Sequence, residues 1–439
     1  MAKIQKILGS LATVAVNMAV TNSHGPGFPR GRRYFKEKTM GIPLQQTLRS
    51  LVKWSAITLA ASAALTATAQ DVGVTATEIL IGEVQPMSGP ASLIGKAGAA
   101  GSKLAIAEIN AAGGINGRKL RAIYEDDGYV PARSVSAVKK LIDSDKVFGI
   151  TGTTGSSHMV AMLPTIEEAK IPTIVHMAPN PAVVTPRRPT VFMIGPDYDY
   201  AGYVPISYMV EKMGKKGGKF GILYQDDDFG KALFAGYTKA VKQYGLNSVA
   251  EISFKRGAKD FSAEVLTLKD KGANAVYLGT LTTESASVMS EFRRLNMDVT
   301  LGTLWAGQLP AAVKLAAASE YQYLIPDYYA SNYDTAGTAL MEVAKKYLSA
   351  DDYANFNRYT VSGYVGTKVF AEGVRRCGAN VTRVCVVNEL GKLHNFSTGG
   401  LSGPVSFDNP KGQAVLPIKL FQTDPKSGTV KALTDFIAY

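Results

Sequence analysis

From about residue 78 onward, short apolar runs alternate with longer stretches in which apolar residues recur every three or four positions. The short runs are typical of buried strands, and the longer stretches have the period of amphipathic helices. A first series covers residues 79–175, and a second covers 203–295 after a connection near Pro196. Strands that alternate with helices form parallel sheets covered on both faces, so two series predict two α/β lobes.

The individual elements follow from the same pattern. The first series predicts strands at 79–82, 120–124, 147–150 and 173–175 and helices at 96–111, 132–144 and 157–169. The second series predicts helices at 203–213, 230–244, 261–271 and 285–295 and strands at 219–224, 249–253 and 275–278. The remaining chain predicts a weak strand near 323, helices at 335–348 and 362–375, and a half-exposed strand at 414–421.

The segment TGTTGSSHMVAM, residues 151–162, joins a predicted strand to a predicted helix. Ligands of open parallel sheets bind beyond the carboxyl ends of the strands, where this segment falls. Gly155 would let the backbone approach a ligand, and Ser156 and Ser157 would offer N–H and hydroxyl donors at the helix start. The segment therefore predicts a carboxylate-binding site at the helix start, called the anion seat below. An ordinary serine cap of a tight turn is the alternative.

The net charge of +12 is concentrated at the start of the chain. Nine of the 48 Lys and Arg residues but one of the 36 acidic residues lie in 1–69, which leaves about +4 for the rest and argues against a nucleic-acid partner. Arg49 and Lys53 precede an apolar run at 54–65 and the motif Ala67-Thr68-Ala69, the pattern of a secretory signal. We expect cleavage after Ala69, a start at Met40 for a signal of ordinary length, and no lipid anchor.

Cys377 and Cys385 are the only two cysteines. In an oxidising compartment this spacing favours a disulfide, with two independent thiols as the alternative. The run Asp226-Asp227-Asp228 predicts a solvated turn rather than a metal site. The chain has no nucleophile elbow, phosphate loop or dinucleotide fingerprint, and the four histidines lack metal-ligand spacing. We therefore expect neither catalysis, nor a metal, nor a cofactor.

Several stretches together resemble the periplasmic leucine/isoleucine/valine-binding proteins of ABC importers. Residues 81–142, IGEVQPMSGPASLIGKAGAAGSKLAIAEINAAGGINGRKLRAIYEDDGYVPARSVSAVKKLI, are similar to the opening of that family. LYQDDDFGKAL at 223–233 and KDFSAEVLTLK at 259–269 are similar to its later segments. The resemblance covers residues 75–425 and implies a type I periplasmic binding fold of two Rossmann-like lobes joined by three crossovers.

The resemblance also implies a domain layout. Export region 1–69 would precede lobe 1, made of 70–193 and 327–402, and lobe 2, made of 194–326 and 403–439. The crossovers would lie near Ile194, Pro326 and Gly403. The implied function is capture of a small molecule in the periplasm by lobe closure, with delivery to an ABC permease in the inner membrane and with the protein a monomer.

The resemblance implies a set of ligand-binding residues, and only part of that set matches the residues that bind amino acids in the family. The carboxylate-binding site of the family corresponds to Ser156, a second segment to Met177 and Ala178, and the second-lobe aromatic residue to Phe229. Family members pair the ligand ammonium with a Glu, whereas this chain has Leu304 and Trp305 there. Because a buried ammonium without a carboxylate is costly, an α-amino acid is disfavoured.

Aromatic side chains are frequent near the predicted cleft. The candidate contacts besides the seat are Tyr129, Phe229, Trp305 and Met87, with Tyr198 or Tyr200 as further rings. Aromatic walls with few polar anchors suit an organic carboxylate such as an aromatic acid. Glu284 would pair with a ligand ammonium if the alignment of this chain with the family is shifted, so branched-chain amino acids stay as the alternative ligand. An extracellular sensing module is the alternative role.

Overall fold

The computed structural model describes residues 71–437, which form two parallel-dominated sheets covered by helices. The first five strands are β1 (Glu78–Gln85), β2 (Lys119–Asp126), β3 (Gly149–Thr151), β4 (Thr173–Val175) and β5 (Val191–Ile194). The next five are β6 (Lys219–Gln225), β7 (Asn247–Phe254), β8 (Ala275–Gly279), β9 (Thr300–Thr303) and β10 (Tyr323–Asp327). The last three are β11 (Gln413–Ala414), β12 (Lys419–Asp424) and β13 (Thr429–Ala432).

The strand order assigns these strands to two lobes. The first sheet has the order β11-β5-β4-β3-β1-β2, and all its pairings are parallel. The second sheet has the order β13-β12-β10-β9-β8-β6-β7, in which β12 runs antiparallel to both β10 and β13. The predicted α/β class with two lobes is confirmed, with one antiparallel edge that the alternation of elements does not predict.

Helices cover both sheets. The first four are α1 (Ser92–Ala111), α2 (Pro131–Asp143), α3 (Ser156–Glu168) and α4 (Pro181–Val184), around the first sheet. Those around the second sheet are α5 (Tyr198–Glu211), α6 (Asp228–Tyr244), α7 (Ser262–Asp270), α8 (Thr282–Arg294) and α9 (Pro310–Ser319). The chain then returns to the first lobe with α10 (Thr335–Tyr347), α11 (Ala350–Ala354), α12 (Arg358–Arg376) and α13 (Arg383–Gly391). Short 3-10 turns lie at Lys215–Gly217 and Trp305–Gln308.

Small residues bring α1 and α12 into close contact. A Cβ added at Gly101 would lie 1.9 Å from the carbonyl oxygen of Thr360, and one at Gly363 would lie 2.0 Å from that of Gly98. Both helices therefore need glycine at their crossing. This contact holds the first turn of α12 against lobe 1, where it carries a buried arginine of the site.

The chain passes between the two sheets three times: between β5 and α5, between β10 and α10, and between β11 and β12. The crossover expected near Gly403 differs from the third passage. Gln413 and Ala414 still pair with Met193 and Ile194 of the first sheet, so the chain leaves lobe 1 only after Ala414. We propose the third lobe boundary there.

The helical and strand patterns locate most elements within a few residues, with three classes of error. The pattern does not predict β5, β9, β13, α4, α9, α11 or α13, and β5, β9 and α4 have only four residues each. The predicted strand at 414–421 is wrong as a single element, because it contains Pro417 and its ends pair in different sheets. Helix α12 begins at Arg358 rather than at Ser362.

Cys377 and Cys385 form a disulfide between the end of α12 and the start of α13, as the spacing predicts. Within residues 71–437, the structure holds no helix with the length and apolar character needed to cross a bilayer. The predicted export signal lies outside the described residues.

Candidate functional site

The serine turn, residues 152–157, connects β3 to α3 at the carboxyl edge of the first sheet. Gly155 precedes the helix at φ +101°, a conformation that favours glycine, and no side chain caps the helix start. Ser156 is 1% exposed, and its Oγ has no hydrogen-bond partner; the Oγ1 of Thr153 is also buried and unpartnered. The turn thus presents unmet donors at the positive end of a helix, which is an anion-binding arrangement.

The second predicted segment lies beside the serine turn. Met177 forms an isolated parallel bridge with Thr154, and Ala178, which follows it, is fully buried. Tyr198, the first residue of α5, donates its hydroxyl to the carbonyl oxygen of Met177 at 3.4 Å. The fold therefore brings Met177 and Ala178 to the serine turn and links both to the first crossover.

Tyr129 packs over the same turn. Its ring stacks on that of His158, with 4.4 Å between the centroids, and His158 is buried with both ring nitrogens unpartnered. Burial lowers the pKa of His158, so a neutral imidazole is favoured there. Burial also raises the pKa of Tyr129, and the negative charges of Asp227 and Glu284 raise it further. Both second-lobe carboxylates are thus within electrostatic reach of this first-lobe phenol.

Arg256 is a functional candidate that the sequence reasoning missed. It follows β7, and its guanidinium donates to Ser157 Oγ at 3.4 Å, pairs with the carboxylate of Asp227 and lies 4.9 Å from the Tyr129 ring centroid. Asp227 caps α6 by accepting from the backbone N–H of Phe229 and Gly230, both at 3.1 Å. Arg256 therefore adds a cation from lobe 2 to the serine turn of lobe 1. Its position beyond the carboxyl end of a strand was the signal that could have identified it.

An aromatic wall, made of Phe229, Tyr198, Trp305 and Tyr328, runs through the interlobe region. The centroid distance is 5.1 Å from Phe229 to Tyr198, 5.0 Å from Tyr198 to Trp305 and 4.9 Å from Trp305 to Tyr328. Each ring is buried, with at most 4% exposure. The structure thus joins the predicted Phe229 and Trp305 through Tyr198, and the rings stabilise one another by edge-to-face and stacked contacts.

The wall ends at a buried ion pair that the sequence reasoning did not identify. Arg358 and Asp327 are fully buried, with the Arg358 Nη2 donating to Asp327 at 2.7 Å and its Nε at 3.0 Å. Burial works against the charge of Arg358, but the negative charge of Asp327 outweighs it and keeps the pKa of this guanidinium above its usual range. The pair joins the end of β10 in the second sheet to the start of α12 in the first lobe.

Glu284 on α8 is a buried carboxylate, 3% exposed. Its Oε2 accepts from the Thr283 hydroxyl at 2.9 Å, and among residues 71–437 it forms no salt bridge. Burial raises its pKa. Because the Glu284 carboxylate has no cation partner in the described part of the chain, it could receive the ammonium group of a branched-chain amino acid, the alternative ligand.

Two of the other candidates line surface cavities. Met87 is half-buried and lines a surface cavity of about 480 Å³ whose lining residues do not include the serine turn. Tyr200 lines a cavity of about 630 Å³ at the first and third crossovers, together with Pro196 and Pro417. The structure therefore groups Gly155, Ser156, Ser157, Met177, Ala178, Tyr129, Phe229 and Trp305 around the interlobe region, and a ligand contact of Met87, which follows β1 at the same edge of the first sheet, stays a prediction.

The two lobes touch at this region. Besides the contact of Arg256 with Ser157, the side-chain amide of Asn180 in lobe 1 donates to the backbone oxygen of Asp228 in lobe 2 at 2.9 Å. Two doubly covered sheets, three crossovers and unmet polar groups between the lobes define a two-lobed ligand-binding protein.

Comparisons with known proteins define the class more closely. A family model described as "Periplasmic binding protein" matches residues 78–429. An "Amino acid binding protein" of Pseudomonas aeruginosa is 30% identical over 49% of this chain and 57% of its own length. A "Leu/Ile/Val-binding protein homolog 3" of Brucella melitensis is 25% identical over 80% of this chain and 95% of its own length. The chain belongs to the periplasmic binding proteins, and its relatives include Leu/Ile/Val-binding proteins of this family.

A solved structure shows the same fold at lower identity. The solute-binding protein of an ABC transporter from R. palustris, in complex with 4-hydroxybenzoate, superposes with a TM-score of 0.72. It is 19% identical to this chain and covers 82% of it and 97% of its own length. At this identity the likeness concerns the fold.

Proposed function

We propose that this protein is exported to the periplasm, captures a small organic carboxylate between its lobes and delivers it to an ABC permease. The observation that carries the proposal is the buried, unpartnered hydroxyl of Ser156 at an uncapped helix start, with the Arg256 guanidinium from the other lobe beside Ser157. A carboxylate accepts hydrogen bonds from both kinds of donor, and burial strengthens them. The family supports the permease partner, and the signal pattern in the sequence supports export.

The aromatic wall supports an aromatic acid as the ligand. Phe229, Tyr198 and Trp305 pack on one another in the interlobe region, and the Tyr198 hydroxyl reaches Met177 beside the serine turn. Planar guests gain stacking energy on such walls. The R. palustris protein, which has this fold, was solved with an aromatic acid, and this adds support.

Glu284 supports a second candidate, a branched-chain amino acid. An α-amino acid carries an ammonium as well as a carboxylate, and Glu284 is a buried carboxylate that forms no salt bridge among the described residues and whose charge reaches Tyr129. The names of the Pseudomonas and Brucella relatives favour this candidate. An extracellular sensing role is the further alternative, and co-purification with a membrane-bound signalling partner instead of a permease would favour it.

A thermal-shift and calorimetry screen of the protein purified from the periplasm of an expression host tests the proposal. The probes are benzoate, 4-hydroxybenzoate, hexanoate, leucine, isoleucine and valine. A ligand at a hundred times its Kd stabilises the folded state by about 2.7 kcal/mol, which raises the melting temperature. We expect an organic acid to give the largest shift. If only the amino acids bind, the second candidate replaces the first, and if no carboxylate binds, the anion seat is refuted.

Glu284→Gln separates the two ligand classes. This substitution removes the charge that an ammonium would need, so we expect at least a tenfold loss of affinity for amino acids and no loss for acids without an ammonium. Glu291→Gln is the matched control, since Glu291 lies on the same helix and pairs with Arg294. The control should change neither affinity.

A further inference from the structure

The guanidinium of Arg358 has one nitrogen that the protein does not use. Its Nε and Nη2 donate to the carboxylate of Asp327, whereas Nη1 is buried and has no hydrogen-bond partner. Asp327 in turn accepts from the backbone N–H groups of Tyr328 and Tyr329 at 2.8 and 3.0 Å. The ion pair is therefore held in one orientation, and the Nη1 edge of the guanidinium points away from Asp327.

Aromatic rings surround this guanidinium. Its Cζ lies 4.6 Å from the ring centroid of Tyr359, 5.0 Å from those of Tyr328 and Tyr329, and 5.7 Å from that of Trp305. Ring faces stabilise the positive charge but leave the hydrogen-bonding capacity of Nη1 unmet. The hydroxyls of Tyr328 and Tyr329 are also buried and without a partner. Three unmet polar groups thus lie in one fully buried neighbourhood.

This neighbourhood continues into the proposed ligand site. Trp305 packs on Tyr328 at one end and on Tyr198 at the other, and Tyr198 donates to Met177 beside the serine turn. Burial raises the pKa of Tyr198, and the phenols of Tyr359, Tyr328 and Tyr129 raise it further, whereas Arg358 lowers it. Trp305 thus bridges Tyr198, beside the serine turn, and Tyr328, beside Arg358.

We propose that Arg358 is a second polar anchor of the binding site, which receives a hydrogen-bond acceptor at the end of the ligand opposite its first carboxylate. The inference rests on the proposed function and narrows its substrate class to acids with two acceptor ends, such as dicarboxylates or hydroxy acids. A guanidinium already oriented by a carboxylate loses little freedom on binding and offers two N–H groups from Nη1. A ligand that meets these donors removes the cost of burying them unpaired.

Matched pairs of acids test the inference on the unmodified protein. Affinities are measured by calorimetry for benzoate against terephthalate and 4-hydroxybenzoate, and for hexanoate against adipate. We expect at least a tenfold preference for the acid with two acceptor ends in at least one pair, because a site built to hydrogen-bond a group rejects the analogue that lacks it. A preference below tenfold in all three comparisons overturns the inference while the proposed function stands. If none of these acids binds, the proposed function fails as well.

Variants assign the preference to this residue. Arg358→Lys keeps a positive charge facing Asp327 but lacks the fork of the guanidinium, so we expect the ratio of affinities within a pair to fall to near one. Tyr328→Phe retains the ring but removes the unpartnered hydroxyl, so it should lower the same ratio of affinities. It replaces Arg358→Lys as the test if that variant does not fold. The control is Arg383→Lys, because Arg383 is a half-buried arginine that donates to the backbone oxygens of Val147 and Phe148. An unchanged ratio in both Arg358→Lys and Tyr328→Phe refutes the assignment.

Discussion

Ser156→Ala should weaken ligand binding without destabilising the fold. The Oγ of Ser156 is buried and makes no hydrogen bond within the protein, so its removal deletes no intramolecular contact. A hydrogen bond to a charged ligand contributes about 1.5–3 kcal/mol, which corresponds to roughly a 10- to 150-fold rise in Kd. The free energy of unfolding of the ligand-free protein should stay the same or rise slightly, because an unmet buried hydroxyl is itself unfavourable.

Ser349→Ala is the matched control with the opposite expectation. Ser349 is exposed and caps α11 by accepting from the backbone N–H of Asp352 at 3.2 Å. Its loss should cost about 1 kcal/mol of stability and leave ligand affinity unchanged. Affinity is measured by calorimetry and stability by urea denaturation. An unchanged affinity of Ser156→Ala for every ligand that binds the wild type would refute the anion seat at this helix start.

Three further predictions concern backbone, covalent and ionisable groups. Gly155→Val should abolish binding and cost about 1–3 kcal/mol of stability, because φ is +101° and a Cβ would lie 2.3 Å from His158 Nδ1; retained calorimetric affinity would contradict this. Reduction of the Cys377–Cys385 disulfide, with a sequence separation of eight, should lower the free energy of unfolding by about 2–3 kcal/mol in urea. Burial raises the pKa of Glu83 to about 7, so the folded state binds more protons than the unfolded state, and stability should fall as pH rises from about 4.5 to 7 by roughly 2–3 kcal/mol. Glu83→Gln should flatten that dependence, and a curve that stays unchanged would show that another group is responsible.

The elements that the sequence predicts well are those whose own pattern of apolar residues is complete. Helix α6 is predicted within two residues, because its apolar residues recur at helical spacing between Asp227 and Gly245. Strand β4 is predicted with its observed bounds from the apolar run that follows Pro172, not from a period. Strand β5 is a buried apolar run of four residues, and β9, with the sequence TLGT, has one large apolar side chain, so periodicity cannot distinguish either from a loop. Strand β11 has two residues, and only its pairing with β5 defines it.

The site residues also fall into those that the sequence identifies and those that only the packed structure identifies. Ser156 and Phe229 follow directly after strands, at the edge where ligands of parallel sheets bind, and the sequence therefore identifies them as candidates. Arg358 lies more than 200 positions from Ser156 in the numbering, and its helix was expected to begin at Ser362, after it. What makes Arg358 a candidate is burial beside Asp327 and four rings, which arises only when the two lobes pack. Arg256 follows β7 at the carboxyl edge of its sheet, so its position alone makes it a candidate, whereas its contact with Ser157 is visible only once the lobes pack.

The choice between the two ligand classes depends on the charge of Glu284. Arg256 is balanced by Asp227 and Arg358 by Asp327. Glu83 and Glu284 are buried carboxylates without a salt bridge among residues 71–437, and the charge of Glu284 reaches Tyr129 of the proposed site. Burial raises the pKa of Glu284, so protonation persists to higher pH than for an ordinary glutamate. Rising pH should ionise it, weaken the binding of an acid by repulsion and strengthen that of a zwitterionic amino acid. Calorimetric affinities for an acid and for leucine across pH 5–8 would therefore show which ligand class the charges of this site favour, and a flat profile for both would show that Glu284 does not face the ligand.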